Sequence, residues 1–338
     1  MLVEFFIDPE AIGHSSTYDD ALFYSNFESF LESWRRYGVW VCPNNKEYID
    51  LLSEALVRAP QDVRTLFERA SARFRRADLD YAMLPSLPVR HPQHRTAFNA
   101  SVVGISPSSA RFLSFNDREF TRIFSQEELE VCRLEALASS NAFRKTRELS
   151  ESPIMPGVTR ESVWRERIDK LVHYSATIMI ADKFALERIW RAADAINKSP
   201  SDGVEEIIDR NGTCFLLNKA ISNGNDKNLI IYTQSLSQTK IELCERYLKE
   251  IVSINGGALS SLQLRMKTKY PEHDRFLRFD DHCVLTLGSG VELLDCATVG
   301  PNGDDDKSHD CNMKIVSEIY REIEGKLNRL CTNRISIF

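Results

Sequence analysis

Between residues 269 and 295 the chain reads KYPEHDRFLRFDDHCVLTLGSGVELLD. His273, Arg275 two positions on, Asp280 and the Gly288-Ser289 pair are the residue types that handle a phosphoryl group. An imidazole nitrogen can attack phosphorus or protonate a leaving oxygen, and a guanidinium binds the non-bridging oxygens, often bidentately. A glycine followed by a serine brings backbone N–H groups and a hydroxyl close to an anion without a bulky Cβ in the way. The plain alternative is a hairpin of two strands that carry polar residues.

Strand geometry gives the chemical reading its form. Side chains alternate across a strand, so His273 and Arg275 share one face while Asp274 takes the other. Asp280 falls where the hairpin turns, and the returning strand CVLTL delivers Gly288 and Ser289. Upstream, Arg265, Lys267 and Lys269 alternate along "SLQLRMKTK" and are expected to line one face of the approach to the cleft.

This spacing resembles the signature of the phospholipase D superfamily, H-x-K-x(4)-D-x(6)-G-S-x-N. His273, Arg275 in place of lysine, Asp280 and Gly288-Ser289 take its positions, with one extra residue before the Gly-Ser. Val291 stands at the position of the motif's asparagine, and Glu292 is the nearest polar residue. "TIMIADKF" looks like the family strand that ends in an acid, here Asp182, and "LIIYTQS" like its second core strand, so the resemblance covers about 165–330. It implies a sheet flanked by helices that acts on a phosphodiester, nucleic acid rather than lipid, without metal or other cofactor. The implied roles are His273 as nucleophile, Arg275 and Ser289 as phosphate binders, and Asp280 orienting the histidine. Arg265, Lys267, Lys269, Gly288, Glu292 and Asp182 are the further phosphate-site candidates.

The family reaction uses two such histidines. None of His14, His91, His94, His173, His282 or His309 is followed two places later by lysine or arginine. A single-motif chain must therefore pair as a twofold homodimer to hydrolyse by this route, or forgo the reaction. An "HDR" form of the motif also occurs in relatives that look like binding modules. Among them is the C-terminal domain of a microtubule-interacting-and-trafficking protein thought to contact phosphoinositides. Two functions thus stand side by side: a nuclease, by analogy one of bacterial antiphage defence with a partner protein of that system, or a degenerate module that binds a phosphorylated ligand or another protein.

The elements that must position these residues suggest an α/β chain of 338 residues in two domains, 1–155 and 156–338, because one core seldom grows that large. "SESPIMPGVTRES" is the linker candidate. In the N-terminal part, "LVEFFI" and "GVWVCP" read as strands, 20–37, 45–58 and 61–77 as helices, 98–115 as two short strands and 126–150 as helical. In the C-terminal part, helices at 160–173, 183–198, 204–222, 237–254 and 310–330 alternate with apolar strands, which implies a sheet covered on both faces.

The net charge is -6, and neither half is a basic arm, so contact with a polyanion must come from local clustering. Eight cysteines without a C-x-x-C pair read as reduced thiols. With no signal-like N-terminus and no apolar run long enough to span a bilayer, they suggest a cytoplasmic protein. Three lesser candidates have plainer readings. Asp8 and Glu10 follow the first strand, where PIN-type metal nucleases carry an acid, and Asp20, Glu47, Asp50 and Asp117 could join them, yet a strand-to-helix cap is the favoured reading of Asp8. Arg69, Arg73 and Arg76 make a basic stripe or a solvated helix face. "GDDDKSHD", with Asp304, Asp306 and His309, reads as an acidic loop more readily than as a cation site.

Overall fold

The computed structural model describes residues 1–13, 23–44, 46–79, 102–105, 130–198, 204–223, 226–255, 259–268, 275–299 and 308–338. The chain is α/β and divides into two units: Leu2–Glu148, and Leu149–Phe338 together with Met1. His14, Asp20, His91, His94, Asp117, Lys269, His273, Asp304 and Asp306 lie outside the described residues.

The N-terminal unit contains a five-stranded sheet in the order β3-β2-β1-β4-β5, parallel throughout. Its strands are β1 (Val3–Ile7), β2 (Gly38–Pro43), β3 (Arg76–Leu79), β4 (Val102–Ile105) and β5 (Glu130–Arg133). Aromatic spacing on the helix Phe23–Tyr37 buries Phe23, Phe27, Phe30 and Trp34. Phe30 and Trp34 meet Phe5 of β1 edge-on, the arrangement that ring quadrupoles favour. The helix expected through residue 77 ends at Arg73 and gives way to β3, and within the helix expected over 126–150 the residues Glu130–Arg133 form β5 ahead of a 3₁₀ turn and the helix Asn141–Glu151. Asp8 is buried and its carboxylate accepts from the Glu10 amide, the capping role.

The C-terminal unit is a mixed seven-stranded sheet in the order β11-β10-β9-β6-β7-β8-β12. β6 (Thr177–Ala181), β7 (Lys227–Gln234) and β8 (Leu259–Lys267) run parallel. β9 (Phe276–Phe279) is antiparallel to β6, and β10 (Cys283–Leu287) and β11 (Cys311–Ile315) follow antiparallel to their neighbours. β12 (Asn333–Ser336) pairs antiparallel with β8. On one face Met179, Ala181, Tyr232, Phe276 and Val284 pack with Ile323 and Leu327 of the C-terminal helix Glu318–Arg329. On the other, Ile178, Ile180, Leu229, Leu277 and Phe279 meet Ile168, Val172, Leu216 and Leu217 of helices. The expectation of a sheet covered on both faces holds.

Three expected elements differ in detail. The helix near 204–222 is broken into Val204–Arg210 and Gly212–Ser222, because Asn211 leaves the helical region and caps the second piece by accepting from the Cys214 amide. The expected helix at 310–330 begins with β11, and β12 is an additional strand; both are short and carry few buried residues. The eight cysteines are free thiols. Among the described residues, no helix is long and apolar enough to cross a membrane.

One close approach sets the position of the loop that follows β10. At the start of the helix Gly212–Ser222, a Cβ on Gly212 would collide with the Val291 carbonyl and with Leu294, so the helix can sit against the 3₁₀ turn Gly290–Leu294 only with glycine there. Gly212→Ala is expected to lower the unfolding free energy by about 1–3 kcal/mol in denaturant titration. A change below 0.5 kcal/mol would show that the two elements are not in tight contact.

Candidate anion site at the carboxyl edge of the sheet

The carboxyl ends of β6 and β10 and the amino ends of β9 and β11 fall at one edge of the C-terminal sheet, as their pairing directions require. Asp182 follows β6, Arg275 precedes β9, Gly288-Ser289-Gly290 follows β10, and His309 and Asp310 precede β11. This is the edge at which open α/β sheets gather their ligand-binding groups.

Asp182 is the fixed point. It is 1% exposed, and its carboxylate accepts from the Phe184 and Val291 amides at 2.9 and 3.1 Å and pairs with the Arg188 guanidinium. Arg188, on the helix Ala185–Lys198, also reaches the Glu292 carboxylate at 2.6 Å. Glu292 in turn pairs with Arg275 at 3.3 Å. Arg275 donates to the Ser289 carbonyl and lies over the Phe184 ring, 5.2 Å from its centroid, with the Lys183 ammonium at the same distance from that ring. The result is a chain of alternating charge: Asp182, Arg188, Glu292, Arg275.

Gly290 makes this assembly possible. Its φ is 75°, a left-handed conformation glycine adopts freely. A Cβ there would come within 2.5 Å of both the Arg275 Cδ and the Asp182 Oδ2. Gly288 is exposed and Ser289 half-buried, so the turn opens to solvent. The Ser289 hydroxyl is in hydrogen-bond contact with His309 Nδ1.

The structure therefore brings together Asp182, Arg275, Gly288, Ser289 and Glu292 of the sequence-derived candidates. Three further ones are placed elsewhere. Asp280 occupies the opposite end of β9, about 16 Å along the strand from Arg275 at roughly 3.3 Å per residue. There its carboxylate accepts from the Ala176 and Thr177 amides at 3.1 and 2.7 Å, and its φ of 48° turns the hairpin. It ties down the start of β6 and makes no contact with Arg275, Ser289 or Glu292. Arg265 does not line the approach: it bonds to the Tyr232 hydroxyl and the Asn328 side chain beside the C-terminal helix. Lys267 is 1% exposed and offers no charge to an incoming ligand. Lys269 and His273 lie outside the described residues.

Sequence reasoning left Lys183, Arg188 and His309 out of the anion site. The signal for Arg188 was present: an arginine in the first two turns of the helix that follows the acid-terminated strand. His309 carried none, since only the fold of β11 brings it to the Gly-Ser turn. Asp295, at the end of the same 3₁₀ turn, accepts from the Gly212 amide at 2.6 Å. Burial pushes its carboxyl up to about 6, outweighing that hydrogen bond and the pull of Arg188. Among the described residues no group of three His, Cys, Asp or Glu side chains could hold a metal ion.

No protein-family model and no curated protein matches the chain. Among solved structures it is similar to TrmBL2, an archaeal chromatin protein described as binding DNA in a novel mode. Identity is 12% over 52% of this chain and 49% of that one, with a TM-score of 0.23. The match spans about half of each chain, and at that TM-score the likeness carries no argument.

Two outcomes follow from this placement. Asp280→Ala removes the acceptor for two backbone amides and is expected to cost about 1–3 kcal/mol of stability while leaving anion binding within about twofold; a tenfold loss of binding in folded protein would return Asp280 to the site. For Asp295 the folded carboxyl holds its proton above the ordinary value of 3.8, so the folded state binds more protons than the unfolded one between about 4 and 6, and stability falls as the pH rises through that window. Asp295→Asn, which keeps an acceptor for Gly212, should then be more stable than the parent at pH 7 by about 1 kcal/mol after allowance for partial exposure. Equal stability near pH 4 completes the pattern in melts at both pH values, and a less stable variant at pH 7 would refute it.

Proposed function

We propose that the C-terminal unit is a phospholipase D-like domain that binds the phosphodiester backbone of nucleic acid, with Arg275 as the principal anion-binding group. The observation that carries this reading is a solvent-exposed carboxylate that bridges two arginines. Glu292 is 43% exposed and sits on the guanidiniums of Arg188 and Arg275, whose side chains are 13% and 21% exposed. A carboxylate on two partly desolvated arginines occupies the place a phosphate takes in charge-assisted pairs. Counted over Asp182, Arg188, Glu292 and Arg275, the site is neutral. If Glu292 swings into water and a singly charged phosphodiester takes its place, the balance is preserved. Glu292 thus enters as the group the ligand displaces and not as one of its binders. The Ser289 hydroxyl supplies a further donor, whereas the Gly288 amide is already given to the Asp310 carbonyl at 2.9 Å.

Turnover is the second reading, favoured by the histidine two places before Arg275. His273 would attack phosphorus, with the leaving oxygen protonated by a second imidazole. The Val291 amide is committed to Asp182 and its side chain is 2% exposed, so the family's asparagine donor has no counterpart there. That absence weights the proposal toward recognition.

Binding of a fluorescent single-stranded oligonucleotide at fixed salt separates these readings. Arg275→Ala should weaken it about tenfold, and Glu292→Gln, which removes the internal competitor, should strengthen it about threefold or more. Cleavage lost in His273→Ala would add turnover. If neither charge variant shifts the affinity, the proposed site is not where nucleic acid binds.

A further inference from the structure

At the β12 edge of the C-terminal sheet two arginines stand side by side with no acid to answer them. Arg265 of β8 and Arg334 of β12 are direct cross-strand partners in an antiparallel pair, so their side chains leave the same face with Cβ atoms about 5 Å apart. We propose that this pair is a second anion site, one that takes a phosphate group with two negative charges, as inorganic phosphate and a phosphomonoester carry and a phosphodiester does not. The inference stands apart from the proposed function, because it uses neither Arg275 nor Glu292.

Neutral acceptors alone hold the Arg265 guanidinium among the described residues. Its Nε and Nη2 donate to the Gln263 side-chain oxygen at 3.3 and 2.9 Å, and its Nη1 donates to the Tyr232 hydroxyl and to Asn328 Oδ1 at 2.7 and 3.1 Å. Arg334 Nη2 donates to the same Asn328 Oδ1 at 3.0 Å and to the Asn328 carbonyl at 3.2 Å. Two guanidinium nitrogens thus converge on one uncharged oxygen and lie within about 6 Å of each other. Asn328 is in the last turn of the helix Glu318–Arg329, whose carbonyl end is worth about half a negative charge. That offsets only part of two full positive ones. Glu324, one turn earlier on the same helix, is given to Arg278 at 2.9 Å, and neither arginine of the pair has a carboxylate partner among the described residues.

The donors left over point to the ligand. A guanidinium has five N–H groups. Arg334 Nε and Nη1 are unengaged among the described residues, and Arg265 Nη2 keeps one N–H beyond its bond to Gln263. Arg334 is exposed and Arg265 half-buried, so an anion reaches the pair from solvent while Arg265 is already oriented. Like charges set directly opposite each other on a sheet repel, and a group that bridges them relieves this fully only if it brings two negative charges. A phosphomonoester near neutral pH carries close to two, spread over three acceptor oxygens that suit guanidinium forks. Arg275, by contrast, already has the Glu292 carboxylate beside it.

The test is calorimetric titration of inorganic phosphate, at constant ionic strength and about pH 8, where it is a dianion, into the Arg275→Ala protein, so that the arginine site on the other strands does not contribute. Phosphate should bind, and adding Arg334→Gln should weaken it about tenfold or more, the loss of charge-assisted hydrogen bonds. Asn328→Asp supplies the absent negative charge from within and should abolish the binding. Thermal melts check that each variant folds. Unchanged phosphate affinity in either folded variant would overturn the proposal, as would an Arg275→Ala protein that binds no phosphate. An oligonucleotide with a terminal phosphate, compared with the same strand lacking it, then separates two sources of the group. A preference for the phosphorylated strand that vanishes with Arg334→Gln assigns the site to a nucleic-acid end. Equal affinity for both strands, with inorganic phosphate still bound, assigns it to a small phosphate compound.

Discussion

A buried carboxylate must be answered by hydrogen-bond donors, and in the C-terminal unit the group that imposes this demand is Asp182. Held at the end of β6 with almost no exposure, it costs several kcal/mol unless paired. Its partners come from three places: the Phe184 amide at the entry to the next helix, Arg188 one turn into that helix, and the Val291 amide of the 3₁₀ turn. One satisfied carboxylate thereby ties a strand end, a helix start and the loop after β10 into one corner.

The corner then dictates what is left for a ligand. Arg188 is committed on one side to Asp182, and both it and the Arg275 guanidinium pair with one solvent-exposed acid among the described residues, Glu292. Two glycines allow the approach: Gly290 lets the turn pass between Arg275 and Asp182, and Gly212 lets a helix abut that turn. The two guanidiniums are the less exposed members of the network, 13% and 21%, and the Glu292 carboxylate at the mouth is 43% exposed.

How far this was legible in the sequence depended on the range of the determining interaction. β6, β7 and the long helix Gln238–Ile254 could be read because apolar runs buried on both faces, and a regular helical period, are local signals. β11 and β12 could not, since CNMKI and NRIS are short sheet-edge segments with polar residues and owe their conformation to the strands they pair with. The motif spacing brought Arg275, Ser289 and Gly288 to one edge, as the structure has them, because a hairpin returns the chain to the same edge. The same spacing misassigned Asp280: alternation says which face a residue takes, but five residues of extended chain carry it to the far end of the strand. Arg265 was misread for a related reason, as its alternation is real but directs it to the C-terminal helix. His309 was invisible as a site residue, since the distance from Ser289 to His309 along the chain says nothing of the β10–β11 pairing that closes it.

The central claim, that an anion replaces the Glu292 carboxylate on Arg275 and Arg188, is tested most directly by a crystal structure of the protein grown with tungstate, a heavy oxyanion visible by its anomalous scattering. The account predicts one strong peak within hydrogen-bond distance of the Arg275 guanidinium and Ser289 Oγ, with the Glu292 side chain turned out to solvent. A well-ordered structure with Glu292 still seated on both arginines, and tungstate absent or bound elsewhere, would contradict it.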